Sequence, residues 1–296
     1  MKKLFYLLAA SVLTIQGCDK IEMPYRQVEA PTVGGNGGSA CPDSTVVEET
    51  SVVAKVRKVL LEDYTGHTCG NCPKAAVKLH DIQVANPDKV VGIAIHAGSF
   101  AQISSPKYTT DFQSTEGTAW DALFGISSAG NPNGMVNRID KPTGQHIKYH
   151  DNWAAAVSLA LAIAPDAHLH IRNTYFKDCR ILKTHINNEY LTAQNGIYNL
   201  SVVIVENGIV DYQKDYSIFP DAIPDYVFNH VLRGSMNGTW GDEIASGSIV
   251  VGATQTKEYQ LTLPPTWIVG NCKVVAFVYN ATTYEVIQAE ELKIVP

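Results

Sequence analysis

Apolar and polar positions change their period once along this chain, near Pro165. Before that point short apolar runs alternate with helical spacing. Val56 to Tyr64 reads as a strand. Ala75, Ala76, Leu79, Ile82 and Gln83 then fall at the spacing of a helix, which Asn86-Pro87 stops. Val90 to Ile95 is apolar without interruption, as in a strand buried on both faces. Strand, helix and strand in this order predict a right-handed parallel crossover.

Residues 106–128 read as partly helical, over Thr110–Phe112 and Ala119–Phe124. Gly130-Asn131-Pro132-Asn133-Gly134 breaks the chain, Met135 to Ile139 reads as a strand, and Trp153 to Ile163 as a helix. After Asp166 period-two runs take over: 167–176, 180–190, 198–205, 226–233, 249–251, 258–263, 274–279 and 286–295. Asn207-Gly208 and Asn280-Ala281-Thr282 are turn signals between them. The predicted fold class is therefore α/β plus all-β. A domain over 52–165, thioredoxin-like because its strand–helix–strand unit carries Cys69-Gly70-Asn71-Cys72, is followed by an immunoglobulin-like β-sandwich over 166–296.

The N-terminus changes the picture. Lys2 and Lys3 precede an uncharged, mostly apolar run from Leu4 to Ile15, too short to span a bilayer. Residues 1–17 read as a lipoprotein signal peptide, because Ile15-Gln16-Gly17-Cys18 resembles a lipobox. Cys18 is then the lipidated residue and the membrane anchor. Residues 18–51, punctuated by Pro24, Pro31, Pro42 and a glycine run, read as a flexible linker. Removing residues 1–17 takes away two lysines and no acid, so the formal charge moves from −6 to −8. That balance argues against nucleic acid as a partner. No later run is apolar for long enough to make a transmembrane helix.

The strongest chemistry lies in Cys69-Gly70-Asn71-Cys72. A CxxC beside a βαβ pattern reads as a thioredoxin-like redox site. At the mouth of a helix, unpaired N–H groups and the helix dipole favour a thiolate on Cys69, and Cys72 one turn along can resolve a mixed disulfide. Thioredoxin-like proteins place a buried acid near the spacing of Asp63, six residues before Cys69, and the resemblance makes Asp63 the candidate to move a proton at the second sulfur. Asn131-Pro132 is the candidate substrate-binding loop, with Pro132 a candidate cis-proline facing the CxxC. His67 and His96 are candidates to tune the thiolate. The same spacing also suits a structural Cys69–Cys72 disulfide. Thr68 stands where thioredoxins usually carry Trp, and Gly-Asn replaces their Gly-Pro. No second Cys or His pair at zinc spacing follows, so neither a metal nor a cofactor is expected. A Cys179–Cys272 bridge is a further expectation, which leaves Cys41 free or intermolecular.

Three segments resemble a known family. They are Leu60 to Pro73, Asn131 to Arg138, and Asn229-His230-Val231-Leu232-Arg233 with Gly238-Thr239-Trp240-Gly241-Asp242. Together they are similar to the Bacteroidetes outer-membrane lipoproteins named for a twenty-eight-kilodalton outer-membrane protein. The resemblance implies a thioredoxin-like domain joined to a β-sandwich, lipid-anchored at the outer membrane on its periplasmic or its surface face. It implies no activity by itself. Two functions follow from the residues. One is thiol–disulfide exchange with exported proteins. The other is a non-catalytic envelope or surface interaction protein, a scaffold or adhesin, with the CxxC as a structural staple.

Overall fold

The structure is a computed structural model that describes Cys41, residues 44–48 and residues 55–296. The predicted signal peptide, the Cys18 lipid site and most of the predicted linker lie outside the described residues. In chain order the elements are β1 (Ser44–Glu48), β2 (Val59–Thr65), α1 (Cys72–Ala85), β3 (Val90–His96), α2 (Thr115–Phe124), β4 (Asn133–Val136), β5 (Lys148–Tyr149) and α3 (Trp153–Leu161). There follow β6 (Ala167–Phe176), β7 (Ile181–Tyr190), β8 (Gln194–Glu206), β9 (Ile209–Lys214), β10 (Ala222–Phe228), β11 (Val231–Ser235), β12 (Asp242–Ile249), β13 (Thr254–Thr262), β14 (Cys272–Asn280) and β15 (Val286–Lys293). The protein is mixed α/β and mostly strand. Among the described residues no helix is long and apolar enough to cross a membrane.

One nine-stranded sheet organises the body. Its path is β15-β14-β8-β11-β3-β2-β4-β5, with β12 paired to β8. β2 and β3 are parallel, with α1 as their crossover. The reason is visible in burial: every residue of β2 and of β3 is buried, so both faces need cover. On one face Leu60, Tyr64, Ile93 and Ile95 pack with Trp120 and Phe124 of α2 and with Val203 and Phe277. On the other face Val59 and Leu61 pack with Leu79 of α1 and Trp153 of α3. Along this second face the even-numbered positions of β8 and β14 meet β6 and β7 of a four-stranded sheet, β1-β6-β7-β13.

The predicted boundary near Pro165 is a change of texture that does not divide the sheet. Val231 of β11 pairs with Ala94 of β3 on one side and Glu206 of β8 on the other. Residues 41–296 form one compact unit. The predicted linker also needs correction. Its residues Ser44–Glu48 form β1, antiparallel to β6, with Ser44 opposite Phe176. Cys41 bridges to Cys179, Cα to Cα 6.0 Å. The predicted Cys179–Cys272 bridge is thereby overturned. Cys272 is a buried free thiol that donates to the Ile268 carbonyl oxygen at 3.4 Å. It faces the core between the sheets, while Cys179 lies in the β6–β7 turn that β1 reaches.

The predicted strand 226–233 is two strands. His230 breaks it with a positive φ of 58°. The N-terminal piece is β10, which pairs with β9 in a two-stranded hairpin outside both large sheets.

Candidate functional site

Period two decides what Asp63 faces. Val59, Leu61, Asp63 and Thr65 alternate on the α1 side of β2, and Asp63 sits in register with Ala94, Thr65 with His96. A small cavity of about 30 Å³ is lined there by Asp63, Thr65, Cys72, Ala94 and His96, and by Gln213, Tyr226 and Phe228 of the hairpin. It has room for a water molecule. Burial pushes the Asp63 carboxyl up to about 8, and its Oδ1 has no hydrogen-bond partner. Burial likewise pushes His96 down to about 3, with His67 and Arg233 adding to the effect, and neither ring nitrogen is hydrogen-bonded. At neutral pH both groups are uncharged. His96 packs by its ring, 4.9 Å from Phe112 and 5.6 Å from Phe228.

Cys69 and Cys72 are joined by a disulfide, Cα to Cα 5.4 Å. α1 starts at Cys72, with Asn71 as its N-cap residue and Pro73 in its first turn, where a missing N–H costs no helical bond. The loop into it is tightly held. Thr68 donates from N–H and from Oγ1 to the Phe100 carbonyl, at 3.1 and 2.8 Å. Gly66 is required there, since a β-carbon would lie 2.3 Å from the Phe100 carbonyl carbon. His67 is buried against Tyr108 and Phe112 and contacts the Gln102 carbonyl at 3.0 Å through Nε2. It is a packed residue of this loop.

The other side of the loop is covered by the hairpin. Lys214 N–H donates to the His67 carbonyl and Tyr216 N–H to the Gly70 carbonyl, both at 2.8 Å. The Gln213 side-chain amide donates to the Cys69 carbonyl at 3.0 Å. Both cysteines are 2% exposed. The Cys69 that the sequence offers as the attacking thiol is thus covered as fully as Cys72. Gln213, Tyr216, Tyr226 and Phe228 were missed by the sequence reading. Their signal was the Asn207-Gly208 turn, followed by the apolar–polar run Ile209 to Tyr212.

The Asn131–Pro132 bond is cis. Asn133 pairs with Tyr64, so this loop lies at the end of β2 from which the chain leaves toward Cys69. Both polar atoms of the Asn131 side chain are buried without a partner. Behind the site an open groove of about 540 Å³ runs between α1 and the segment 226–230, with His80, Asn229 and His230 on its walls and Asp63 at its inner end. Among the described residues no group of three or more His, Cys, Asp or Glu is arranged to hold a metal ion.

A second buried pair, also missed in sequence, anchors the sheet beneath. Arg138 donates to Glu62 from Nε and Nη2 at 2.9 and 2.7 Å. Its guanidinium lies 4.9 Å from the ring centroids of Trp120 and Phe124 and 5.0 Å from that of Phe277.

Three comparisons bear on identity. No curated protein matches the chain. Among solved structures, HBP35 of Porphyromonas gingivalis is similar over 81% of this chain and 76% of its own, with 16% identity and a TM-score of 0.59, a likeness of fold. A domain of the outer membrane lipoprotein Omp28 from Porphyromonas gingivalis is 20% identical over 45% of this chain and 90% of its own, with a TM-score of 0.31. The model of the family described as outer membrane protein Omp28 matches residues 118–296, more than half of the chain. By that match the chain belongs to the Omp28 family and is an outer-membrane protein.

Proposed function

We propose that this protein exchanges thiols and disulfides with exported proteins, from a thioredoxin-like half joined to an immunoglobulin-like sandwich and held to the membrane by lipid on Cys18. The observation that carries the reading is the placement of Asp63. It is a buried acid, pushed up to about 8, that shares a small cavity with Cys72. A structural staple needs no such group, and an unpartnered buried carboxyl is costly to keep.

The chemistry follows from the oxidised state. A substrate thiolate attacks Sγ of Cys69, the Cys69–Cys72 bond breaks, and Cys72 leaves as a thiolate. Asp63, neutral at pH 7, gives that thiolate its proton directly or through water in the cavity. A second substrate thiolate then attacks the substrate sulfur of the mixed disulfide and releases Cys69. Two electrons pass to the protein and the substrate leaves with a disulfide. Run backward, the same steps reduce a substrate. The groove behind α1 gives Asp63 a route for proton exchange with solvent.

The reduction potential of the Cys69–Cys72 pair tests this reading. An exchanging pair falls between about −120 and −270 mV, while a structural disulfide sits below about −300 mV. The second outcome would favour an envelope interaction protein with a stapled loop, a reading supported by the 2% exposure of both cysteines. The lipid anchor is tested separately: Cys18→Ala should release the protein from membranes, and mass spectrometry should find acylated Cys18 as the mature N-terminus.

A further inference from the structure

We infer that the outward carbonyl edge of the Cys69 loop is a docking edge for an extended polypeptide, and that the β9–β10 hairpin is its built-in occupant, displaced when a substrate strand binds. The inference rests on the exchange reading above. The hairpin meets the loop through backbone donors. Lys214, the last residue of β9, and Tyr216, in the turn just beyond it, donate their N–H groups to the carbonyls of His67 and Gly70, each at 2.8 Å. Gln213 adds a side-chain bond to the Cys69 carbonyl at 3.0 Å. An incoming strand supplies the same donors at the same spacing, which is the logic of strand addition. A small thiol supplies none of them.

The hairpin is built to move at its tip and stay at its base. Among the described residues β9 and β10 pair only with each other, and a lone two-stranded hairpin is marginal in water. Its base is fixed where Ile209, Tyr226 and Phe228 pack with Phe112 and Val231. Its tip is open to solvent: Tyr216, Ile218 and Phe219 are 60%, 48% and 98% exposed. At the neck Lys214 and Asp221 are 3.5 Å apart and solvent-accessible, a contact that adds little. Lifting residues 213–216 therefore uncovers the sulfurs without opening either core. The ring of Tyr216 lies directly on Gly70, so the displaced position takes an aromatic side chain close to the attacked sulfur. The fitting substrate is an unstructured segment with a cysteine near an aromatic residue.

The test uses the full chain carrying Cys72→Ser. Its Cys69 thiolate is offered an unstructured peptide of that kind, whose cysteine is activated with thionitrobenzoate. Attack joins Cys69 to the peptide sulfur and releases thionitrobenzoate, which is read by absorbance. Hydrogen exchange is then followed at the Lys214 and Tyr216 amides. They should lose protection in the adduct while β8 and β14 keep theirs. Tyr216→Ala should speed adduct formation by about tenfold, as loss of the ring contact loosens the cover, and Tyr216→Phe should keep the parent rate. An adduct in which both amides stay protected, or a Tyr216→Ala chain no faster than the parent, overturns the displacement and leaves the exchange reading standing. If no adduct forms in the parent or in Tyr216→Ala, both fall.

Discussion

Tyr216 lies on Gly70 so closely that a β-carbon at position 70 would come within 2.5 Å of the ring's Cγ, while the Tyr216 N–H donates to the Gly70 carbonyl at 2.8 Å. Gly70→Ala must push the ring away. Because the tip beyond Tyr216 is exposed, the push should be relieved there and not in the sheet. Reduction of the Cys69–Cys72 disulfide by dithiothreitol should then quicken by about five- to tenfold, the worth of one or two lost contacts. Equal rates for parent and variant would show that the ring does not shield the sulfurs.

Asp63 should make the protein less stable as pH rises from about 4 to 8. Its folded pKa of about 8 lies above the unfolded value near 3.8, so the folded state binds more protons across that window and stability falls with pH. His96 at about 3 and His230 at about 4 act in the opposite sense. Each is neutral in the fold and protonated when unfolded, so their stability is lost as pH falls below about 6.5. The two effects oppose each other between pH 4 and 6.5, and Asp63 acts with little opposition from pH 6.5 to 8. Asp63→Asn should flatten that upper slope and raise stability at pH 7 by a few kcal/mol. Urea melts at a series of pH values decide it; an Asp63→Asn variant with the parent's slope sinks the argument.

Arg138 and Glu62 are 1% and 0% exposed in their side chains and 2.7 Å apart. Removing one partner leaves the other buried without its counter-charge. Glu62→Gln or Arg138→Met should each cost about 3–5 kcal/mol, measured by denaturant titration. The double variant should cost less than the two single variants added together. Additive losses would mean the two groups do not depend on each other.

Thiol counting checks the pairing of cysteines. Under denaturation without reductant, Cys272 should alkylate, while Cys41, Cys69, Cys72 and Cys179 should not. The Cys41–Cys179 bridge spans 138 residues, and replacing both with serine should cost about 2–4 kcal/mol. Label on Cys179 in the oxidised protein would refute the bridge.

Residues 41–296 should unfold in a single calorimetric transition, because Leu60, Ile93, Val203 and Phe277 share one cluster across the position of the texture change. Residues 166–296 alone should bind a hydrophobic dye and melt without cooperativity, since Val203, Val205, Val275 and Phe277 lose their cover. Two separate transitions in the longer chain would argue for two independent domains.

Much of this molecule was legible one segment at a time. The fully apolar run 90–95 gave β3, which the structure bounds at Val90–His96, and the helical spacing of Ala75, Ala76, Leu79, Ile82 and Gln83 gave α1. The Cys69–Cys72 disulfide and Asp63 on the same side of the sheet followed from local spacing and from the two-residue period of β2. The three family-like segments led to the family. Five-residue β1 was read as linker because a short edge strand has little pattern of its own, and its partner β6 lies more than a hundred residues away.

What the sequence determined by itself is therefore what short-range periodicity encodes: element type, the face each side chain takes, and the CxxC at the start of a helix. Only the tertiary structure decided which elements meet. It joined β8, β11, β14 and β15 to the sheet of β2 and β3, paired Cys41 with Cys179, and laid residues 213–216 over the Cys69 loop. The physical reason lies in those last contacts. They are hydrogen bonds between backbone groups that every residue carries, at separations of more than 140 positions, so no side-chain pattern announces them. Both cysteines are buried beneath a loop that carries those bonds on its backbone and one aromatic ring on its glycine.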